Sequence, residues 1–437
     1  MESSKLKQIK NKILEVCSVG MKSLSKIGLF HVFGSYTINR VIAFITNTII
    51  VRLLSKEEFG VFGSAYNVYS LFIILNGFGM INAVLLYCSE ERGEQEKRSL
   101  YRYTLKWGFF SAVLLSAGML LYGFYGRVGI QESSRYIIAL SVLPLFDYVQ
   151  QYILVFYRIR CDNKTFARLL TINTCAHFLF DCAGALMWGV GGTIAGRYLA
   201  YIVTIAVGTL VGKETFKRAG KSTGLPATQK RDIWNYALKS GSASALNQIV
   251  YLIDIALISY LVSDAMVVAS YKTAAMIPEA LSFIPQSVIV TVLPYFARKQ
   301  QDGEWVKDKS KKLFIGMAAM NFLISLFLWI MAPFIIEILW GEKYLDSVPY
   351  FRILSISYFF LGTFRLFSTN LLAIFHRVTF NFSISLLTGV SNILLDYFMV
   401  KKYGAIGAAW ATLFTVVIAS LCSFPYLIYV IKRKDSS

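Results

Sequence analysis

The chain has 437 residues, of which 56% are hydrophobic, 15% aromatic and only 16% charged. Soluble domains carry about 25% charged residues, so this composition excludes a soluble globular protein and predicts an all-α polytopic membrane protein. The net charge of +19 does not indicate nucleic acid binding, because the chain has no soluble domain on which a basic patch could form.

Residues 1–32 place apolar residues near helical spacing between six lysines. This pattern predicts an amphipathic helix on the inner leaflet, with a disordered basic tail as the alternative. The six cysteines of the chain lack the spacing of a metal site. We therefore expect no disulfide, no metal and no other cofactor.

Twelve apolar segments are long enough to cross a bilayer, which takes about 20 residues of helix. They are residues 33–54, 64–88, 103–125, 136–157, 169–187, 190–211, 233–262, 267–296, 313–335, 350–372, 380–400 and 404–431. Short loops connect them, so we predict twelve transmembrane helices.

Basic residues are distributed unevenly between the two sides of the predicted membrane protein. If the N-terminus is cytoplasmic, 30 of the 44 Lys and Arg residues lie in cytoplasmic segments and 6 lie in outer loops. Membrane proteins carry an excess of these residues in cytoplasmic loops. We therefore predict that both termini are cytoplasmic.

The first apolar segment carries Asn39, Arg40 and Asn47. Arg40 and Asn47 are seven residues apart, so they share one helical face. An arginine deep in lipid costs about 2.5–3.5 kcal/mol, and we expect this face to look into water or onto an anion. The segment recurs 208 positions later, where Asn247 matches Asn39.

The fourth segment carries Asp147, and the fifth carries Asp181 with His177 four residues before it. Gly192 and Gly196 in the sixth segment predict a helix-packing seam.

The polar and basic stretch 212–232 divides the chain into halves. Six segments precede it, so the halves share one orientation, and we expect a rotation about the membrane normal to relate them. We predict an N lobe at 33–211, a C lobe at 233–431 and a cytoplasmic tail at 432–437.

The second half also places charges inside apolar segments. The seventh segment carries Lys239, Asn247 and Asp254, and the eighth carries Lys272 and Glu279. Buried charge in a helical bundle indicates a functional site, with a structural ion pair between helices as the alternative reading.

Arg365 lies near mid-depth of the tenth segment, and Asp396 lies in the eleventh, where we expect it to reach the outer interface. Function is favoured for Arg40 and Arg365, because a single arginine deep in a helix is costly. Both readings stay open for the other buried charges, which are Lys239, Lys272, Glu279, Asp254, Asp147 and Asp181.

Several enzyme classes are excluded by missing motifs. The chain has no Gly-x-x-x-x-Gly-Lys-Ser/Thr phosphate loop, no Gly-x-Ser-x-Gly and no His-Glu-x-x-His, each of which carries a defined chemistry. We predict a transporter and not an enzyme.

The stretch Val51-Arg-Leu-Leu-Ser-Lys-Glu-Glu-Phe-Gly-Val-Phe-Gly63 resembles the first helical hairpin of polysaccharide flippases. Leu293-Pro-Tyr295 and Tyr403-Gly-Ala-Ile-Gly-Ala-Ala409 are similar to later motifs of these proteins. They belong to the multidrug/oligosaccharidyl-lipid/polysaccharide exporter superfamily, and the resemblance covers about residues 33–431.

The resemblance implies two six-helix pseudo-symmetric lobes around a central cleft lined by helices 1, 2, 7 and 8. It implies that an undecaprenyl-diphosphate-linked oligosaccharide is flipped by alternating access from the inner to the outer leaflet of a bacterial cytoplasmic membrane. The diphosphate would bind the cleft cations Arg40, Lys239, Lys272 and Arg365. Candidates for polar contacts or ion coupling are Asn39, Asn47, Asn247, Asp254, Glu279, Asp147 and Asp181.

As partners of a monomer we expect membrane lipids, a glycan polymerase and glycosyltransferases. A cation-coupled multidrug exporter of the same superfamily is the main alternative, and its cavity should be acidic. A polytopic glycosyltransferase or polymerase is a further alternative, but it would need a large catalytic loop that the chain lacks.

Overall fold

A computed structural model of the protein describes residues 29–90, 92–212 and 224–435. Within these ranges the chain forms helices and no strand. The predicted amphipathic helix falls almost entirely on residues 1–28, outside the described residues, as do residues 213–223 of the predicted linker. The side chain of Asn247 is also outside them.

Twelve helices cross the bundle within the described ranges, which confirms the predicted all-α fold. They are α1 (Leu29–Leu53), α2 (Lys56–Ser89), α3 (Glu94–Tyr125), α4 (Ser133–Ile159), α5 (163–187), α6 (190–211), α7 (Ala227–Leu261), α8 (Ala265–Arg298), α9 (Gly303–Trp340), α10 (348–374), α11 (Val378–Tyr403) and α12 (Ala405–Asp435). We call the side on which α1 begins and α12 ends the termini side, and the other the distal side.

The helices have the length and composition of membrane spans. Among the described residues, eight helical stretches are long and apolar enough to cross a bilayer, and one of them, Asn163–Val211, contains both α5 and α6. The remaining crossings are α1, α7 and α10; the first half of α7 is more polar, and a π-helical turn at Leu361–Arg365 divides α10. The protein is a multi-pass membrane protein.

Some helices extend beyond the apolar segments that predicted them. α9 begins at Gly303, where the Asp302 side chain accepts a hydrogen bond from the Trp305 backbone N–H at 3.0 Å. Its first turns are charged, and Lys312 pairs with Asp308 at 2.9 Å. Apolar composition marks the part of a helix that suits lipid, whereas capping residues set where it begins.

α2 is interrupted near its middle by three residues with left-handed backbone angles. Gly77, Phe78 and Gly79 have φ values of 73°, 47° and 76°, which glycine adopts without the steric cost of a β-carbon. The side chain of Asn76 donates to the Pro144 carbonyl at 3.0 Å and so ties the break to α4.

The helices form two lobes, α1–α6 and α7–α12. In the first, α1 packs on the α5–α6 pair; in the second, α7 packs on α11, and α10 packs on α9 and α12. α2 joins the lobes through contacts with α7 and α8. On the distal side a shared apolar core closes the lobes together, with Phe59, Phe62, Trp340 and Tyr344 among its members.

The α5–α6 and α11–α12 hairpins match at a spacing of 215 residues. Gly189 and Gly404, at the two turns, both have positive φ, 57° and 65°. Gly192 packs against the Gly184 carbonyl, and Gly407 packs in the same way against the Met399 carbonyl. These features support the expected relation between the halves.

The predicted packing seam at Gly192 leads to a stability prediction. A β-carbon at Gly192 would collide with the Gly184 carbonyl, whereas one at Gly191 would meet nothing within 4 Å. Gly192→Leu should therefore lower the free energy of unfolding by at least about 1–3 kcal/mol through overpacking. Membrane abundance should fall several-fold. Gly191→Leu is the matched control, and equal abundance of the two variants would contradict the seam.

Candidate functional site

A cavity of about 600 Å³ lies between the lobes. Residues of α1, α2, α7 and α8 form most of its wall, with contributions from α6 and α10. Its charged lining residues are Arg40, Arg197, Lys272 and Glu279. Three cations against one carboxylate make the cavity cationic, which suits an anionic ligand.

One wall of the cavity is aromatic. Phe59, Phe62 and Tyr66 are spaced three and four residues apart on α2, so they share one helical face, and all three line the cavity. The ammonium group of Lys272 lies 5.5, 5.6 and 5.4 Å from their ring centres. Cations over aromatic faces are held electrostatically by the ring.

Arg197 lies at the same wall. Its guanidinium carbon is 4.3 Å from the centre of the Tyr66 ring and 5.5 Å from that of Phe62. Behind it, the buried carboxylate of Asp181 is 3.5 Å from Arg197 Nε and 3.3 Å from His177 Nδ1. Asp181 and His177 thus meet on one helical face, and α6 adds a cation to them.

Asp147 is buried in the N lobe with three hydrogen-bond donors. Its carboxylate accepts from Asn76 Nδ2 at 3.1 Å, Gln151 Nε2 at 2.7 Å and the Tyr201 hydroxyl at 3.2 Å. A buried carboxylate with this many donors is well satisfied. Asp147 therefore connects the break in α2 with α6.

The C lobe contains a pair of buried carboxyl groups, Asp254 of α7 and Asp396 of α11, which are close enough to interact electrostatically. Asp254 Oδ2 accepts from the Tyr271 hydroxyl at 2.5 Å and the Thr412 hydroxyl at 2.7 Å. No ion pair with Lys or Arg reaches either carboxyl group among the described residues. Two buried carboxylates cannot both be ionised unless a proton or a cation compensates them.

The oxygen atoms around this pair could hold a small cation. Asp254 Oδ1, both Asp396 oxygens and Asn392 Oδ1 are buried without a hydrogen-bond donor. Carboxylate, amide and hydroxyl oxygens suit hard cations, and not the metals that prefer sulfur or imidazole. The set contains only two carboxyl groups; a cluster of three or more His, Cys, Asp or Glu side chains arranged to hold a metal does not occur in the described part of the chain.

The expectation that Asp396 reaches the outer interface is wrong. Its relative exposure is 0%, because α11 packs against both α7 and α12 at this point. The sequence does carry a signal for it. Asn392 and Asp396 are four residues apart, the same spacing as His177 and Asp181.

The other predicted site residues fall in different places. Arg40 and Asn47 both line the cavity, as do Lys272 and Glu279. The cavity lining does not include Lys239, Arg365 or Asn39: Lys239 is exposed on α7, Arg365 donates to Thr388 Oγ1 at 3.4 Å, and Asn39 is buried.

Sequence reasoning did not include Arg197 among the site residues. The signal was present, because Arg197 lies deep in an apolar helix, as Arg40 does. The argument from the cost of a buried arginine applies equally to both. The neighbouring Gly192 and Gly196 predict a packing surface on the same helix.

Polar contacts between the lobes cover the distal side of the cavity. Lys56 Nζ at the start of α2 lies 2.6 Å from Asp346 Oδ2, which also accepts from the Ser270 hydroxyl at 2.8 Å. Lys343 Nζ donates to the Leu54 carbonyl at 2.8 Å. The distal side is thus closed by apolar packing and by these contacts.

Comparison with known proteins identifies a family that this chain matches and solved structures that share its fold. The model of a family described as polysaccharide biosynthesis protein matches residues 27–300, well over half of the chain. An uncharacterized membrane protein of Methanocaldococcus jannaschii is 23% identical over 414 residues, which cover 87% of this chain and 79% of that protein.

Two solved structures share the fold. An inward-facing multidrug resistance MATE family transporter of the MOP superfamily superposes with a TM-score of 0.73 at 14% identity, over 91% of this chain and 96% of its own. The lipid II flippase MurJ in an inward closed conformation gives 0.71 at 15% identity, over 92% and 89%. The fold is therefore shared with both structures at low sequence identity.

Proposed function

Because the chain belongs to the polysaccharide biosynthesis protein family and has the fold of MOP superfamily transporters, we propose that it is a flippase for lipid-linked oligosaccharides. Its substrate is an oligosaccharide on undecaprenyl diphosphate, which it moves from the inner to the outer leaflet of a bacterial cytoplasmic membrane. Both termini are cytoplasmic, so the termini side is the inner side and the distal side is the outer side.

The cationic cavity is the observation that carries this proposal. A diphosphate must leave water to cross the hydrocarbon layer, and fixed cations lower that barrier by replacing hydration with charge-assisted hydrogen bonds. Arg40 and Lys272 supply such cations in the cavity wall. The rings of Phe59, Phe62 and Tyr66 offer flat faces for sugar rings. A multidrug exporter is disfavoured, because we expect its cavity to be acidic.

Alternating access requires the lobes to close on one side while they open on the other. In this structure the distal side is closed by the Lys56–Asp346 contact and the apolar core around Trp340. In the proposed cycle these contacts separate once the substrate is bound. The protein acts as a monomer, with glycosyltransferases that supply the substrate and a polymerase that extends the glycan.

The carboxyl pair in the C lobe is the proposed coupling site. A cation or proton that binds between Asp254 and Asp396 neutralises a buried repulsion, so its binding stabilises the arrangement of α7 against α11. Release of the ion leaves two buried charges together, which favours movement of these helices apart. An ion gradient can therefore bias the lobe equilibrium.

Surface-glycan export in a flippase-deficient bacterium tests the proposal. Arg40→Ala and Lys272→Ala should each reduce export at least about tenfold, because a charge-assisted hydrogen bond contributes about 1.5–3 kcal/mol. Arg40→Lys should rescue partly, since it keeps the charge but loses the bidentate geometry. Arg168, which is exposed on α5 outside the cavity, provides the control Arg168→Ala. Full export by the Arg40→Ala/Lys272→Ala double variant, at equal membrane abundance, would refute the cationic-cavity mechanism.

A further inference from the structure

The two lobes differ at one set of equivalent positions. At the spacing of 215 residues that relates the hairpins, Asp181 corresponds to Asp396 and Arg197 corresponds to Thr412. Both carboxyl groups are buried. In the C lobe the Thr412 hydroxyl donates to Asp254 beside Asp396, whereas in the N lobe a guanidinium lies beside Asp181. The N lobe thus carries a covalently attached cation where the C lobe carries a hydroxyl.

The contact with Asp181 does not satisfy all the hydrogen-bond donors of Arg197. The two approach at 3.5 Å, and Arg197 Nε makes no hydrogen bond with any described residue. A guanidinium has five N–H donors in a planar fork, and no described residue accepts a hydrogen bond from its terminal nitrogens. The side chain is 13% exposed, and it lines the cavity. It therefore retains donors for an anion in the cavity.

A second cation lies near the same ring. The Lys272 ammonium group and the Arg197 guanidinium lie 5.4 Å and 4.3 Å from the centre of one ring, that of Tyr66. They come from different lobes, α8 and α6. Two cations this close to one ring repel each other, and a phosphate group that accepts hydrogen bonds from both would relieve that repulsion.

We propose that Arg197 is the fixed counter-cation of the N lobe and that, together with Lys272, it forms an anion subsite beside Tyr66 in the cavity wall for a phosphate group of the substrate. The proposal rests on the proposed function, since it names where the diphosphate of the lipid-linked substrate binds. Asp181 is a positioning residue that holds the guanidinium at the cavity wall. The N lobe then needs no exchangeable cation, and only the C-lobe pair takes one.

Binding of farnesyl diphosphate to the purified full-length protein tests this subsite. Arg197→Gln should raise the dissociation constant at least about tenfold, as expected for loss of a charge-assisted contact. Asp181→Asn should raise it by less than Arg197→Gln does, because the guanidinium keeps its charge but loses the carboxylate that holds it at the cavity wall. Arg168→Gln, on the exposed part of the same helical stretch, should leave it unchanged.

The double variant Asp181→Asn/Arg197→Gln controls for misfolding of the single variants, because it removes both members of the pair and leaves neither charge buried alone. It should fold as the wild type does and still bind farnesyl diphosphate weakly. If Arg197 is only half of a structural ion pair, the double variant should bind as tightly as the wild type, and that result overturns the proposal. Equal affinity of Arg197→Gln and wild type overturns the subsite alone. Absence of binding by the wild type overturns the diphosphate substrate and the subsite together.

Discussion

Asp254→Asn and Asp396→Asn should each abolish transport while leaving the protein at least as stable as the wild type. The two carboxyl groups are buried beside each other without a basic partner among the described residues. Asparagine keeps the size of the side chain and removes the repulsion, so the fold should not suffer. A cation that loses a buried carboxylate partner loses on the order of 3–5 kcal/mol, which is at least a hundredfold in affinity.

The measurements are glycan export and the melting temperature of the purified protein. A bound ion stabilises the folded state in proportion to the logarithm of its concentration. The wild type should therefore melt higher in NaCl than in choline chloride if sodium binds, or respond to pH if a proton binds. Either response should vanish in Asp254→Asn.

Asp308→Asn is the matched control, because Asp308 is exposed and pairs with Lys312 in the solvated first turns of α9. It should transport and melt as the wild type does. Wild-type export by the Asp254→Asn/Asp396→Asn double variant, with an unaltered response to sodium and pH, would remove the carboxyl pair from the transport cycle.

Gly60→Val should prevent closure of the distal side and reduce transport to background. A β-carbon at Gly60 in α2 would collide with the backbone carbonyl of Ala265 at the start of α8. Because the obstacle is backbone, no side chain can move aside, and the lobes must separate. The substitution therefore destabilises the closed conformation, in which α2 meets α8, and leaves the fold of each lobe intact.

A cysteine at Ser70, which lines the cavity, reports the change. In Gly60→Val, Ser70→Cys should become more reactive toward an impermeant thiol reagent added from the distal side. Gly118→Val is the control, since a β-carbon at Gly118 has only an ordinary contact with Phe72 at 3.5 Å. Normal export with unchanged labelling would show that the α2–α8 contact is not part of the gate.

The polar contacts of the distal side should matter less than this backbone contact. Asp346 is 52% exposed in its pair with Lys56, and exposed salt bridges contribute about 0–1 kcal/mol. The apolar core and the close approach of α2 to α8 therefore hold most of the closure.

Much of the fold follows from the sequence alone. A helix that crosses lipid needs about 20 apolar residues, which is a local and continuous property of the chain. The segments 136–157 and 380–400, for example, lie within α4 and α11. The break between α1 and α2 follows from the Ser55 capping box with Glu58. The family resemblance around Val51–Gly63 rests on the same local pattern.

The site could be predicted only in part. The seven-residue spacing of Arg40 and Asn47 is a property of one helix, and both residues line the cavity. Lys239 and Arg197 show the limit of such reasoning. Each is the lone cation of its predicted apolar segment, 233–262 or 190–211, yet only Arg197 lines the cavity. Periodicity shows which residues share a face, but not which neighbour that face meets.

Only the tertiary structure decided which charges act together. Asp254 and Thr412 are 158 positions apart and form a hydrogen bond, and Lys272 and Arg197 reach one ring from different lobes. The sequence by itself determined where the chain crosses the membrane, because the length and polarity of each segment decide that. The partners of each buried charge depend on how α6, α7, α8 and α11 pack, which is a property of the assembled lobes and of no single segment.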